Sequence, residues 1–326
     1  MNVFPLAEMT GWLAVPTCER AALALGLAVR FLGPRWGATQ VAARLPAMLA
    51  ATATGQYEFY FDAMGREVGF VNWSAPALPA TGGPRPVRIH DFFARRGSLR
   101  PILADLRDRV LAGHDAALYV RHKPRLRITK QVSRADRTSF FRAAPALAAD
   151  VAVRLTRDDH ARDSYRRSFA DAVELGECLQ VLQRCDPHRR SPLWADGLPL
   201  RDLVALRQFR LYRDAHGVPA GLVTWAWLSP YTLARLGAVP LHRAHISEWN
   251  EGLALCLCDV LDTDASRAAI LDDLCGLLLP AQQEALLYLA PHGAAGARTQ
   301  QVDRRDRAAL GAWMAARQPL ATGASA

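Results

Sequence analysis

His188 stands in the segment Asp186-Pro187-His188-Arg189-Arg190, three residues after Cys185. Imidazole is the side chain whose ordinary charge change falls near neutral pH, so a histidine can take a proton from a nucleophile and pass it on. The nearby cysteine admits a second chemistry, a thiolate activated by that imidazole. Against both stands a plain structural reading, because Asp-Pro-His-Arg is also the composition of a turn with a surface histidine. Asp259 closes the apolar run Leu255-Cys256-Leu257-Cys258-Asp259. There its carboxylate either orients an imidazole or caps the end of a strand. Cys256 and Cys258 alternate within the run, which points both to one face of a strand. Zinc needs two further ligands, and no C-x-x-C or H-x-x-x-H companion stands at useful spacing. Buried strand cysteines are the reading, and no metal is expected.

The elements that must carry these residues announce themselves through a repeat. Gln56 to Trp73 (QYEFYFDAMGREVGFVNW) matches Gln208 to Trp225 (QFRLYRDAHGVPAGLVTW) at a constant offset of 152 residues, with eight of 18 positions identical. Each copy reads as an aromatic and branched strand, a turn at Asp62 to Gly65 or Asp214 to Gly217, and a second strand ending in tryptophan. Trp73 and Trp225 read as core residues closing the hairpins. An alanine- and leucine-rich helical segment beginning with Leu-Gly precedes each hairpin, at Leu25-Gly26 and Leu175-Gly176. After each come a strand candidate, an amphipathic helix (Leu99 to Leu111; Arg267 to Leu279) and a short strand (Ala116 to Val120; Ala285 to Leu289). Each half is therefore an α+β unit with a mostly antiparallel mixed sheet flanked by helices. The expected organisation is a first domain over 1–150, a charged connector over 151–165, a second domain over 166–310, and a flexible small-residue tail over 311–326.

Composition narrows the function classes. A chain of 326 residues suits two domains, each burying its own core. No stretch of about 18 residues is apolar enough for a bilayer span. Glu8, Glu19 and Arg30 break the pattern of a secretory signal, and six scattered cysteines suit reduced thiols rather than a disulfide framework. A cytoplasmic place is expected. The net charge of +9 comes from 40 basic residues, all arginine except Lys123 and Lys130. Such charge suits nucleic acid, anionic lipid or an acidic protein. Without a DNA-binding motif or aromatics interleaved with the basic clusters, nucleic acid is not the expected partner.

In order and spacing, Leu175-Gly176, His188, Trp225-Ala226 with Leu228-Ser229, and Asp259 resemble the RTX-toxin-activating lysine acyltransferases. The resemblance covers roughly 170 to 305 and, more weakly, 20 to 135. It implies two tandem GNAT-like acyltransferase domains. It also implies a fatty-acyl-loaded acyl carrier protein as donor, whose phosphopantetheine thioester is used with no tightly bound cofactor, and the ε-amine of a lysine in a protein toxin or ribosomal peptide as acceptor. His188 and Asp259 take the catalytic positions. Members of the family pair as homodimers, which a tandem copy would reproduce as a pseudo-dimer within one chain. Two departures stand out. Cys185 occupies the position of the family's serine, and Val260-Leu261-Asp262-Thr263-Asp264 replaces its aromatic loop after the aspartate. The first half has no histidine before His90, yet keeps Asp91-Phe92-Phe93-Ala94-Arg95-Arg96-Gly97, close to the family's loop. It reads as a catalytically inactive copy.

Acyl transfer to lysine needs a neutral amine, and an ammonium of pKa near 10.4 must first lose its proton. His188 serves as that base, or takes the acyl group itself, with Asp259 orienting the ring. Acyl carrier protein is acidic, so the basic surface suits it, and Arg189 and Arg190 are the candidates for the phosphate of its arm. Two other functions compete: an acyltransferase acting on a small amine, and a non-catalytic module that binds acyl carrier protein.

Overall fold

The computed structural model describes residues 3–6, 9–10, 13–15, 17–62, 66–75, 86–123, 126–133, 159–185, 199–241, 244–276, 278, 282–289 and 297–317. Their contacts define two compact units, Met1–Ala24 with Ala47–Ala170, and Leu25–Pro46 with Asp171–Ala326. The division thus falls five residues beyond the connector expected over 151–165. From Asp159 the chain is already helix α3 (Asp159–Cys185), and Tyr165 and Phe169 are buried. Tyr165 donates a hydrogen bond of 2.8 Å to the carbonyl of Asp62, and Phe169 lies 5.4 Å from the ring of Phe61. Two aromatics at this spacing give a charged stretch a buried face. Helix α1 (Thr17–Thr54) gives its two ends to the first unit and residues 25–46 to the second. Leu25-Gly26 and Leu175-Gly176 therefore lie inside helices rather than opening them. Glycine at 26 admits the backbone of Ala172, which a Cβ would strike.

The first unit is a sheet in the order β1 (Phe4–Pro5), β2 (Tyr57–Phe61), β3 (Glu67–Ser74), β4 (Pro86–Ala94), β5 (Ala116–Lys123) and β6 (Leu126–Ser133). All neighbours are antiparallel except β4 and β5. A parallel pair needs a long crossover. Helix α2 (Leu99–Asp105) and a π-wound turn over Leu106–Val110 supply it. Ile102, Leu106 and Leu111 are buried against Tyr60, Val71, Val87 and Ile89.

The second unit orders its strands β7 (Phe209–Arg213), β8 (Pro219–Leu228), β9 (Ala254–Asp262), β10 (Glu284–Leu289) and β11 (Arg298–Asp303). Helix α4 (Pro199–Ala205) precedes it. Again one inner pair, β9 with β10, is parallel. Helix α6 (Asp264–Gly276) makes that crossover. Helix α5 (Pro230–Arg235) follows β8, with Ser229 at its N-cap accepting from the Thr232 amide at 3.2 Å and a proline in the first position. Helix α7 (Arg307–Arg317) closes the unit. Residues 311–317, expected as part of a flexible tail, are helical because Leu310, Trp313 and Met314 enter the core with Trp225, Leu257, Ile270 and Leu274. The mixed α+β character read from the sequence is what the structure has, as two mixed sheets flanked by helices.

The two sheets repeat one another in register and bonding. Tyr57 faces Asn72 and Tyr60 faces Gly69; 152 residues on, Phe209 faces Thr224 and Tyr212 faces Gly221. Register shifts fall after Tyr60 and after Tyr212, then after Asn72 and after Thr224. In both hairpin turns an aspartate accepts from the amide four residues on, Arg66 to Asp62 and Val218 to Asp214, each at 3.0 Å. Buried Ser98 donates to the Val68 carbonyl at 3.1 Å, and buried Ser266 to that of Ala220 at 2.9 Å. Gly69 and Gly221 each leave room for the crossover isoleucine, Ile102 or Ile270, whose Cδ1 a Cβ would overlap.

Candidate active site

Asp259 is only 2 % exposed and lies within β9 rather than at its end. Val260 and Leu261 continue the strand, paired with Val223 and Leu222. The run after Asp259, expected as a loop, is strand through Asp262 and turns only at Thr263. Its apolar residues have burial on both faces of the sheet to gain. The reading of Asp259 as a strand-ending cap is overturned with it. The Val260 amide donates to its Oδ1 at 3.0 Å, which fixes one carboxylate oxygen. Cys256 and Cys258 are buried as expected, and the Cys258 thiol donates to the Cys256 carbonyl at 3.4 Å. Among the described residues no cluster of three metal-ligating side chains occurs.

His188, Arg189 and Arg190 lie outside the described residues. The structure describes the chain up to Cys185, the half-buried last residue of α3. Two contacts tie this helix to the β7–β8 hairpin. Arg213 bridges Glu177 at 2.7 Å, and Arg184 donates to the Pro219 carbonyl at 2.8 Å.

Directly across from Asp259 on β8 is Thr224, fully buried, with no hydrogen-bond partner for Oγ1 among the described residues. The first unit holds the matching pair, Asn72 across from Asp91. There the Asn72 side chain accepts from the Asp91 amide at 2.7 Å and donates to its Oδ2 at 3.2 Å. Asp91 to Ala94, expected as a loop, belong to β4. His90 beside them bonds Ser74 Oγ at 2.8 Å. Burial, with Arg88 adding to it, holds this imidazole's pKa below its usual value.

A further polar pair lies on the helix-bearing side of each sheet. Tyr212 donates to Asp273 at 2.5 Å, and Arg210 reaches the same oxygen at 3.2 Å. Burial, then the bond to Asp273, pushes the phenol well above its ordinary range. In the first unit Tyr60 donates to Asp105 at 2.9 Å, and Arg109 spans Asp105 at 2.8 Å and Glu58 at 2.6 Å. Neither Thr224 nor these pairs were singled out from the sequence. The only signal was the tyrosine shared by the two copies of the hairpin.

Residues 168–303 match the RTX toxin acyltransferase family. These residues belong to that family. The match takes in α3 from Ser168, the whole hairpin, Asp259 and the parallel β9–β10 pair, so it spans the second unit's sheet with α4, α5 and α6 and stops before α7. No curated protein matches the chain. Among the described residues no helix is long and apolar enough to cross a membrane.

Proposed function

We propose that the second unit moves a fatty acyl group from acyl carrier protein to the ε-amine of a lysine in an RTX-type toxin. His188 takes the proton from the attacking amine, Asp259 orients the imidazole, and Arg189 and Arg190 hold the phosphate of the carrier's pantetheine arm. A general base in this role contributes roughly 10²–10⁴-fold. The observation that carries the reading is Asp259, a carboxylate held inside the sheet of a domain that belongs to this acyltransferase family. Helix α3 supports it. Arg184 is bonded to Pro219 on β8, the strand that pairs with Asp259's own, and three residues lead from Cys185 to His188.

We further read the first unit as a second, degenerate GNAT-like copy that gives the chain a pseudo-dimeric arrangement. The matched registers, bulges and serine caps support this reading. A cytoplasmic site of action suits a carrier-protein donor, and the excess of arginine suits that donor's acidic surface.

The test is intact mass spectrometry of an RTX toxin fragment incubated with myristoyl- or palmitoyl-loaded acyl carrier protein and either wild type or His188→Ala. A gain of one acyl group with wild type only is the expected result. An unmodified fragment, with carrier binding equal in the two proteins, would favour a carrier-binding module instead.

A further inference from the structure

Thr224 and Asp259 are cross-strand partners, so their side chains rise from one face of the sheet. Buried hydroxyls are ordinarily hydrogen-bonded, and one left without a partner asks for an explanation. In the first unit the same position carries Asn72, which spends both ends of its amide on Asp91. The second unit instead places a short branched hydroxyl there, fully buried and without a partner among the described residues. The register shift that follows it, between Thr224 and Trp225, fixes the local backbone. Trp225 packs into the core on the opposite side. The hydroxyl is therefore held on the face it shares with Asp259, without an acceptor among the described residues.

We infer that Thr224 is a catalytic residue, whose hydroxyl donates a hydrogen bond to the carbonyl oxygen of the acyl thioester and to the oxyanion that forms there. This rests on the acyltransferase reading above. In the step it serves, the lysine nitrogen bonds to the acyl carbon and the carbonyl electron pair moves onto oxygen. The pair then returns as the carbon–sulfur bond breaks. The proton taken from the amine leaves with the pantetheine sulfur as a thiol. Thr224 keeps its own proton throughout. Its contribution grows as charge gathers on the oxygen, because a preorganised donor in a dry site stabilises the charged state more than the neutral one.

The test is the steady-state rate of toxin-fragment acylation from myristoyl-loaded acyl carrier protein by wild type, Thr224→Val and Thr224→Ser, each at several pH values. Valine keeps the branched shape without the donor, and serine keeps the donor. The expected result is a fall in kcat of about 100-fold for Thr224→Val with KM within about threefold, and Thr224→Ser within about fivefold of wild type. The apparent pKa of the pH–rate profile stays in place. An unchanged Thr224→Val overturns the assignment, as do equal losses in both variants, which mark a packing role. A displaced pH profile also overturns it, by marking a role in positioning Asp259. Wild type that acylates nothing removes the acyltransferase reading and this role together, whereas an active wild type with an active valine variant removes this role alone.

Discussion

The two sheets share matched registers and treat the same two positions in opposite ways. In the first unit Asn72 and Asp91 satisfy each other through two hydrogen bonds. In the second, Thr224 faces Asp259 and leaves its hydroxyl open. A closed polar pair stabilises a sheet, whereas a buried hydroxyl without an acceptor costs it stability. The helix-bearing side differs too. Glu58, Arg109 and Asp105 form a network in the first unit, where Arg109, Glu58 and Trp73 also line a cavity of about 580 Å³. In the second, Arg210 takes the place of Glu58 and meets Asp273 directly, and Trp225 is packed into the core. Shared topology thus fixes where a carboxylate stands, and the residue opposite decides which side-chain hydrogen bonds cross between the strands.

The sharpest way to break this comparison is to neutralise each aspartate in turn. Asp259→Asn should lower toxin acylation by about 10²-fold or more, the scale of a lost acid–base partner, while Asp91→Asn should leave the rate within about twofold. Initial rates on the two variants decide it, and a comparable loss in both would give the first unit a share in catalysis. Next in size are the glycines under the crossovers. Gly221→Ala crowds both Ile270 and the bonded Ser266 hydroxyl, at 2.7 and 2.8 Å. It should cost about 1–3 kcal/mol. Gly69→Ala meets mainly the movable end of Ile102 and should cost less. Urea unfolding of the full chain measures both.

Smaller again is the tyrosine pair. Tyr212→Phe strips a donor from Asp273, whose Oδ1 already has no partner among the described residues, and should cost about 1–3 kcal/mol. Tyr60→Phe should cost about 1 kcal/mol, because Arg109 still holds Asp105 through two bonds. The smallest effect is one of pH. The His90 pKa is held below its usual value in the folded first unit. The unfolded chain therefore takes up the proton first as pH falls. The stability from the neutral imidazole is complete above about pH 6.5 and is lost below it toward the folded value. Amide protection factors in β4, with the pH dependence of intrinsic exchange divided out, should fall between pH 7 and 5 in wild type and change less in His90→Gln.

Much of the architecture was legible beforehand. The hairpins over 56–73 and 208–225 came from alternation and turn residues. The crossover helices came from helical periodicity, and the acyltransferase domain from four elements in register. Three readings failed for one reason. The end of β9, the extent of β4 and the helix over 307–317 each depend on partners distant in sequence, which bury Val260 or Trp313, or half-bury Phe92, and extend an element past its local signal. Thr224 was invisible for a related reason. A threonine in a strand is ordinary, and its importance lies in facing Asp259 across two strands separated by 25 residues of chain.

The sequence by itself determined the elements and their order, because backbone preference and side-chain period act over a few residues and leave a local trace. It determined the family too, since the spacing of chemically special residues survives in one dimension. The tertiary structure decided which side chains meet. A single bulge after Asn72 or Thr224 sets the register of the next strand, and that register brings Asn72 across from Asp91 in one unit and Thr224 across from Asp259 in the other.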